Sequence, residues 1–161
     1  MKLDPNKPNI LVSACLLGSK TRYDGKSKPY PSATALVEFF NVIPICPEAE
    51  SGMVIPRPPS EIKGDRVYSE DGTDVTDFYK RGSSMALTTA KKFNVKFAIL
   101  KERSPSCGSS FIHDGLFDDK VIPGEGITTR LLRQNGFDVF AEEKIPVILK
   151  AEFDKRKEQE D

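Results

Sequence analysis

The chain has 161 residues, 38% apolar and 30% charged, and its 24 basic and 24 acidic side chains cancel to a net charge of zero. That is the composition of one ordinary globular domain, with no basic excess suited to nucleic acid or an anionic membrane, no apolar run approaching a membrane span and no apolar core of a signal peptide. A cytoplasmic protein is expected, its oligomeric state open.

Residues 1–9 are polar, carry Pro5 and Pro8, and read as a flexible lead-in to a single domain over residues 10–150. Ile10-Leu-Val-Ser-Ala14 is a short branched run of the kind buried on both faces of a sheet. Glycines and prolines make residues 16–31 a loop. Ser32 then offers a cap for a short helix, Ala33 to Phe40, with Ala33, Leu36, Val37 and Phe40 on one face. A second strand is expected over Val42 to Cys46. Residues 47–64 hold Pro47, Pro56, Pro58 and Pro59, so a long irregular loop is expected there, and such loops are usually functional.

Arg66 to Ser69 with Asp71-Gly72 suggests a small hairpin or turn. Asp74 caps a long helix whose Val75, Phe78, Tyr79, Ala86, Thr89, Ala90 and Phe93 recur at helical spacing. Phe97 to Leu100 is a third buried strand. Gly126 to Gln134 reads as a helix closed by Gly136, and Asp138 to Ala141 as a fourth strand. From residue 151 to 161 the chain is a charge run, expected as a solvated, fraying helix end. Strands alternating with helices predict an α/β fold: a Rossmann-like parallel sheet flanked by helices in three α/β/α layers, with long site-forming loops. Ligands of such sheets sit beyond the carboxyl ends of the strands.

Cys15, Cys46 and Cys107 lie 31 and 61 residues apart, and each follows a predicted strand. An odd count argues against a closed disulfide framework. Buried apolar groups, reactive nucleophiles and metal ligands remain as readings. The strand-following placement brings all three to one edge of the sheet and favours a site. Pro47-Glu48 after Cys46, and the setting Ser104-Pro-Ser-Cys-Gly-Ser109 around Cys107, impose irregular backbone able to turn N–H groups toward a guest. No Cys-x-x-Cys pair exists to suggest structural zinc, and His113, the single histidine, precedes Asp114-Gly115 and reads as a turn residue. Three thiolates would suit an iron–sulfur cluster with one iron left open, although spacing alone leaves zinc as an alternative. Ser13 to Gly18 lacks the glycine spacing and the Lys-Ser/Thr pair of a phosphate loop.

Several separated motifs, in order, carry a resemblance: Ile10 to Gly18, Arg22-Tyr-Asp-Gly25, Cys46-Pro-Glu48, Gly52 to Pro59 with Glu61-Ile62, Ala98 to Lys101, and Ser104-Pro-Ser-Cys-Gly108. Over Ile10 to Val147 the chain resembles the thiouracil desulfidases, in their short single-domain form. The resemblance implies a [4Fe-4S] cluster held by Cys15, Cys46 and Cys107, and non-redox removal of sulfur from 2-thiouracil to give uracil and hydrogen sulfide. It implies Glu48 as the acidic catalytic residue and Ser104 as the catalytic serine. Ser13, Arg22, Asp24 and Arg57, on or beside the same loops, are candidates for contacting a thiolated pyrimidine, with Arg able to form paired hydrogen bonds. The bland alternatives are that Glu48 merely pairs with Arg57 or caps a helix and that Ser104 is a turn residue. A non-catalytic zinc or cluster sensor is the rival function, and a nucleotide-binding α/β module with idle cysteines a third.

Overall fold

The computed structural model describes residues 2–160; Met1 and Asp161, the outer ends of the expected lead-in and tail, lie outside the described residues. In chain order the elements are β1 (Asn9–Ser13), β2 (Asn41–Ile45), α1 (Pro47–Glu50), β3 (Ser60–Lys63), β4 (Arg66–Ser69) and α2 (Thr76–Lys92). There follow β5 (Phe97–Leu100), β6 (Phe111–His113), β7 (Val121–Pro123), α3 (Ile127–Gln134), β8 (Asp138–Ala141) and α4 (Ile145–Glu160). None of the described helices is long and apolar enough to cross a membrane.

β2, β1, β5 and β8 pair in that order, all parallel, with Ile10 opposite Val42, Leu11 opposite Ala98, and Ile99 opposite Phe140. Alternate side chains go to opposite faces. Ile10, Val12, Phe97 and Ile99 pack with Leu36, Phe40, Ile145 and Leu149, so the segment before β2 and helix α4 cover one face. Leu11, Ala98, Leu100 and Val139 pack with Ala86, Ala90 and Leu132, so α2 and α3 cover the other. This is the expected three-layer α/β/α arrangement. The chain leaves β1 toward β2 on one side and later returns to β5 on the other. The crevice between the carboxyl ends of β1 and β5 is therefore a topological switch point, where loops diverge and leave room for a ligand.

The local departures have physical reasons. Residues Ala33–Glu38 form a 3-10 turn rather than an α-helix, and the buried positions Ala33, Leu36 and Phe39 follow its three-residue period. Val37, expected on the core face, is exposed, and Ser32 makes no side-chain cap. The stretch 47–64 is not wholly irregular, because Pro47 starts α1 at the position where its missing N–H does no harm. The end of that stretch supplies β3, which pairs antiparallel with β4 about Gly64-Asp65, whereas Asp71-Gly72 forms a separate turn.

The N-cap of α2 is Val75, not Asp74 as expected; Asp74 sits one residue earlier, where its Oδ1 accepts the Thr76 N–H at 2.9 Å, and Phe78 is exposed to solvent. The β6–β7 hairpin was not expected, and His113 ends its first strand instead of occupying a turn. The lead-in is tied down, since Asn41 accepts from the Asp4 N–H at 2.9 Å and donates to Asp4 O and Lys7 O. Residues 151–160 continue α4, with Phe153 edge-on to Phe39 at 4.8 Å between centroids and Arg156 bonded to Glu38 at 2.7 Å.

Candidate active site

A cavity of about 610 Å³ opens at the carboxyl edge of the parallel sheet, within the size range of ordinary ligand sites. All three cysteines line it, each carried there by a different strand. Cys15 sits in the 3-10 turn Ala14–Leu17 after β1, and its carbonyl accepts the N–H groups of Gly18 and Lys28. Cys46 precedes α1, with its N–H bonded to Glu50 Oε2 at 2.9 Å. Gly82 of α2 is what lets α1 approach so closely, because a Cβ there would run into the Pro47 carbonyl.

Cys107 lies in the loop after β5, seated on the start of α3. Its carbonyl accepts the Thr129 hydroxyl at 2.8 Å, and the N–H groups of Ile127 and Thr128 bond to Pro105 O and Ser106 O. Glu102 organises the same loop from the other side. Its Oε1 accepts the N–H groups of Arg103, Ser109, Ser110 and Phe111 at 2.9–3.2 Å, and its Oε2 accepts the Ser109 hydroxyl at 2.9 Å.

Burial, followed by the charge of Cys46, pushes the Cys15 thiol up to about 11, against the pull of Lys101 and Arg22. Burial also raises Cys46, with Glu48 adding to the effect, and raises Cys107 well above its ordinary value, with Cys46 and Glu48 next in weight. The sulfurs thus feel one another. Among the described residues no three His, Cys, Asp or Glu side chains gather tightly enough to ligate a single ion, and the three thiols share the lining of one cavity.

Glu48 lies between two anchors. Arg57 Nη2 donates to its Oε2 at 3.0 Å, and the Ser104 hydroxyl donates to its Oε1 at 3.1 Å. Arg57, only 8% exposed, also donates to Thr21 O and Val54 O. Ser104 Oγ in turn accepts the N–H groups of Ser106 and Cys107, both at 3.1 Å. One hydroxyl has one proton and two lone pairs, so Ser104 is fully engaged. It couples the carboxylate of Glu48 to the backbone of Cys107. Tyr79 joins the group from α2, its phenol raised well above the usual value by burial and then by Glu48.

The remaining expected contacts divide. Arg22 lines the cavity, but Asp24 does not; it bonds to Arg22 at 3.3 Å and to the Lys26 N–H, stabilising the loop. Ser13 lines the cavity, and its Oγ accepts the Lys101 N–H at 2.9 Å, tying β1 to the start of the Cys107 loop. Thr21, Ser60, Tyr79 and His113 were not anticipated as lining residues. Each is a lone polar or aromatic residue in a loop, a strand end or a helix. Only the fold brings them together. Three of the four non-glycine residues with positive φ among those described, Arg103, Phe117 and Asp119, also line the cavity, and such backbone persists where surrounding contacts hold it.

A family model described as 2-thiouracil desulfurase matches residues 10–144. A solved structure of a [4Fe-4S]-dependent thiouracil desulfidase, TudS, is 45% identical, with a TM-score of 0.85, the match covering 90% of this chain and 97% of that one. The uncharacterized protein YbbK of Bacillus subtilis (strain 168) is 39% identical over 150 residues, covering 87% of this chain and 99% of the relative.

Proposed function

The chain belongs to the 2-thiouracil desulfurase family, and from that premise we propose that it is an iron–sulfur enzyme that hydrolyses 2-thiouracil-type bases to uracil and hydrogen sulfide without redox chemistry. The observation that carries this reading is the convergence of three thiols from three strand-following loops on one cavity beside a doubly anchored carboxylate. The donor set fits a cluster: soft sulfur ligands select iron–sulfur centres, and three thiols on one cavity supply them. Cys15, Cys46 and Cys107 would hold it. When bound, the cluster supplies a soft Lewis-acidic iron lacking a protein ligand, suited to a thiocarbonyl sulfur.

The remaining work falls to the chain. Water adds at the thiocarbonyl carbon, the carbon–sulfur bond breaks, and the two protons of that water leave with sulfur as hydrogen sulfide. Glu48 accepts a proton from the attacking water and returns it to the departing sulfur. Arg57 fixes the direction of the carboxylate, with Nη2 on Oε2. Ser104, whose proton and lone pairs are already engaged, acts through Glu48 as a positioning residue. Holding both Glu48 and the Cys107 N–H, it keeps the base in register with the thiol loop.

Anaerobic purification tests the reading. The expected product is a brown protein with stoichiometric iron and acid-labile sulfide, a [4Fe-4S] paramagnetic signal on reduction, and release of sulfide and uracil from 2-thiouracil. Bound zinc without labile sulfide would point to the sensor function instead. A colourless protein that stays inactive after anaerobic reconstitution would remove the proposal.

A further inference from the structure

Four buried side-chain atoms among the described residues have no hydrogen-bond partner: Thr21 Oγ1, Arg57 Nε, Ser60 Oγ and His113 Nδ1. All four residues line the one cavity. Buried polar groups are normally satisfied, and each exception is unfavourable, so four at one place call for a ligand that completes them. Arg57 and Ser60 are each 8% exposed, so bulk water does not serve them freely.

The set forms a connected wall. Arg57 Nη2 bonds to the Thr21 carbonyl, Ser60 begins β3 three residues after Arg57, and the Ser60 hydroxyl lies beside the Tyr79 phenol. Glu61, next in β3, reaches across to accept the N–H groups of Gly115 at 3.0 Å and Phe117 at 3.2 Å, just beyond His113. Before His113, Ile112 bridges to Arg103, which precedes Ser104. The histidine is thus held from both sides, between the clamp of Glu61 and the loop of Cys107. Its own imidazole remains unpartnered at Nδ1.

We propose that Thr21, Ser60, His113 and the Nε of Arg57 form the subsite that reads the amide-like edge of the substrate ring, and that His113 determines its specificity. Arg57 Nε–H can only donate, so the ligand must present an acceptor there; two hydroxyls and an imidazole nitrogen can each donate or accept. That mixture matches a planar neutral heterocycle with a carbonyl beside a ring N–H. This inference rests on the desulfuration reading for its substrate, and extends it to residues outside the thiols and Glu48.

The test combines equilibrium dialysis of uracil against the anaerobically purified full chain with steady-state kinetics on 2-thiouracil. His113→Ala and His113→Gln weaken uracil binding and raise KM by about tenfold, the equivalent of one lost hydrogen bond, while kcat changes much less. His113→Asn, whose amide lies where Nδ1 lay, recovers most of the affinity. Ser60→Ala shows a similar loss, and cytosine, with an amino group in place of the carbonyl, binds more weakly than uracil. The visible absorbance of the cluster stays unchanged in every variant. Wild-type uracil affinity and KM in His113→Ala overturn the proposal. So does an equal loss in the Asn, Gln and Ala variants accompanied by a lowered Tm, which marks a structural role. Uracil binding that depends on His113 in a chain unable to turn over 2-thiouracil would uphold the subsite and remove the desulfuration reading.

Discussion

Replacing Glu102 by alanine removes the acceptor for four backbone N–H groups and one hydroxyl. Burial alone would raise this carboxyl, yet the N–H groups of Phe111 and Ser110 and the Ser109 hydroxyl together hold it below the usual carboxylate range. The N–H groups of Arg103, Ser110 and Phe111 belong to exposed residues, so water takes over most of their loss. Ser109 is 6% exposed, and its N–H and hydroxyl are left without a charged acceptor. At about 1–2 kcal/mol for each such loss, Glu102→Ala costs about 2–4 kcal/mol, and Glu102→Gln, which keeps one oxygen, about half of that. Denaturant unfolding of the metal-free chain measures the difference, and amide hydrogen exchange locates it at Ser109, Ser110 and Phe111. Under the proposed function, iron per chain also falls, because the loop that carries Cys107 is no longer templated. Unfolding within 0.5 kcal/mol of wild type, with unchanged exchange at those amides, would refute the reasoning.

Three further changes probe the scaffold. Gly82→Ala drives a Cβ against the Pro47 carbonyl and forces α1 away from α2, at a cost of about 1–3 kcal/mol and a fall in Tm of roughly 3–10 °C; faster reaction of Cys46 with a thiol reagent checks that α1 has moved. Arg57→Met leaves Glu48 without its ion-pair partner in a site where the side chains are 4% and 14% exposed, and unfolding should detect a loss of about 3–5 kcal/mol. Asp74 is held down at about 2, first by the Thr76 hydroxyl, then by the Thr76 N–H and Arg66. Because the folded value lies below the unfolded one, its contribution is complete above about pH 4 and is lost as pH falls toward 2. Asp74→Asn therefore flattens the acid limb of a stability-against-pH curve over that window.

The parallel sheet is legible because strands buried on both faces need continuous apolar runs, and Ile10–Val12 and Phe97–Leu100 are such runs. The thiols are legible for a related reason: Cys15 and Cys107 follow those two runs and Cys46 follows the edge strand β2, so the sheet itself carries them to one edge. The β6–β7 hairpin escapes because its strands have three residues each and its Phe111, Val121 and Ile122 are exposed, which leaves no alternation to read. With it His113 escapes too. The loop clamps are equally silent in sequence. Glu61 meets Gly115 across 54 residues, and the carboxylate gives no local sign that its partners are distant backbone N–H groups. Asp24 gives no local sign either that its carboxylate is held by Arg22 and the Lys26 N–H.

Electrostatics limit what the cavity can hold. Ionising Cys15, Cys46 and Cys107 beside Glu48 would set four negative charges around one space. Arg22, Lys101 and Arg57 oppose them, but Arg22 is paired with Asp24, Lys101 with Glu142 and Arg57 with Glu48 itself. Cys107 has the least relief, facing Cys46, Glu48 and Cys15 with the Ser106 side chain as its stabilising contact. A guest that takes all three sulfurs as thiolates must bring positive charge of its own, which an iron–sulfur core does and a neutral base does not. The unsatisfied polar atoms impose the opposite requirement. Thr21, Ser60 and His113 lack partners, and Arg57, already neutralised by Glu48, offers a single unsatisfied donor. That set suits a neutral heterocycle. A metal core on the sulfurs and an uncharged ring against the unsatisfied polar atoms beside them meet both requirements.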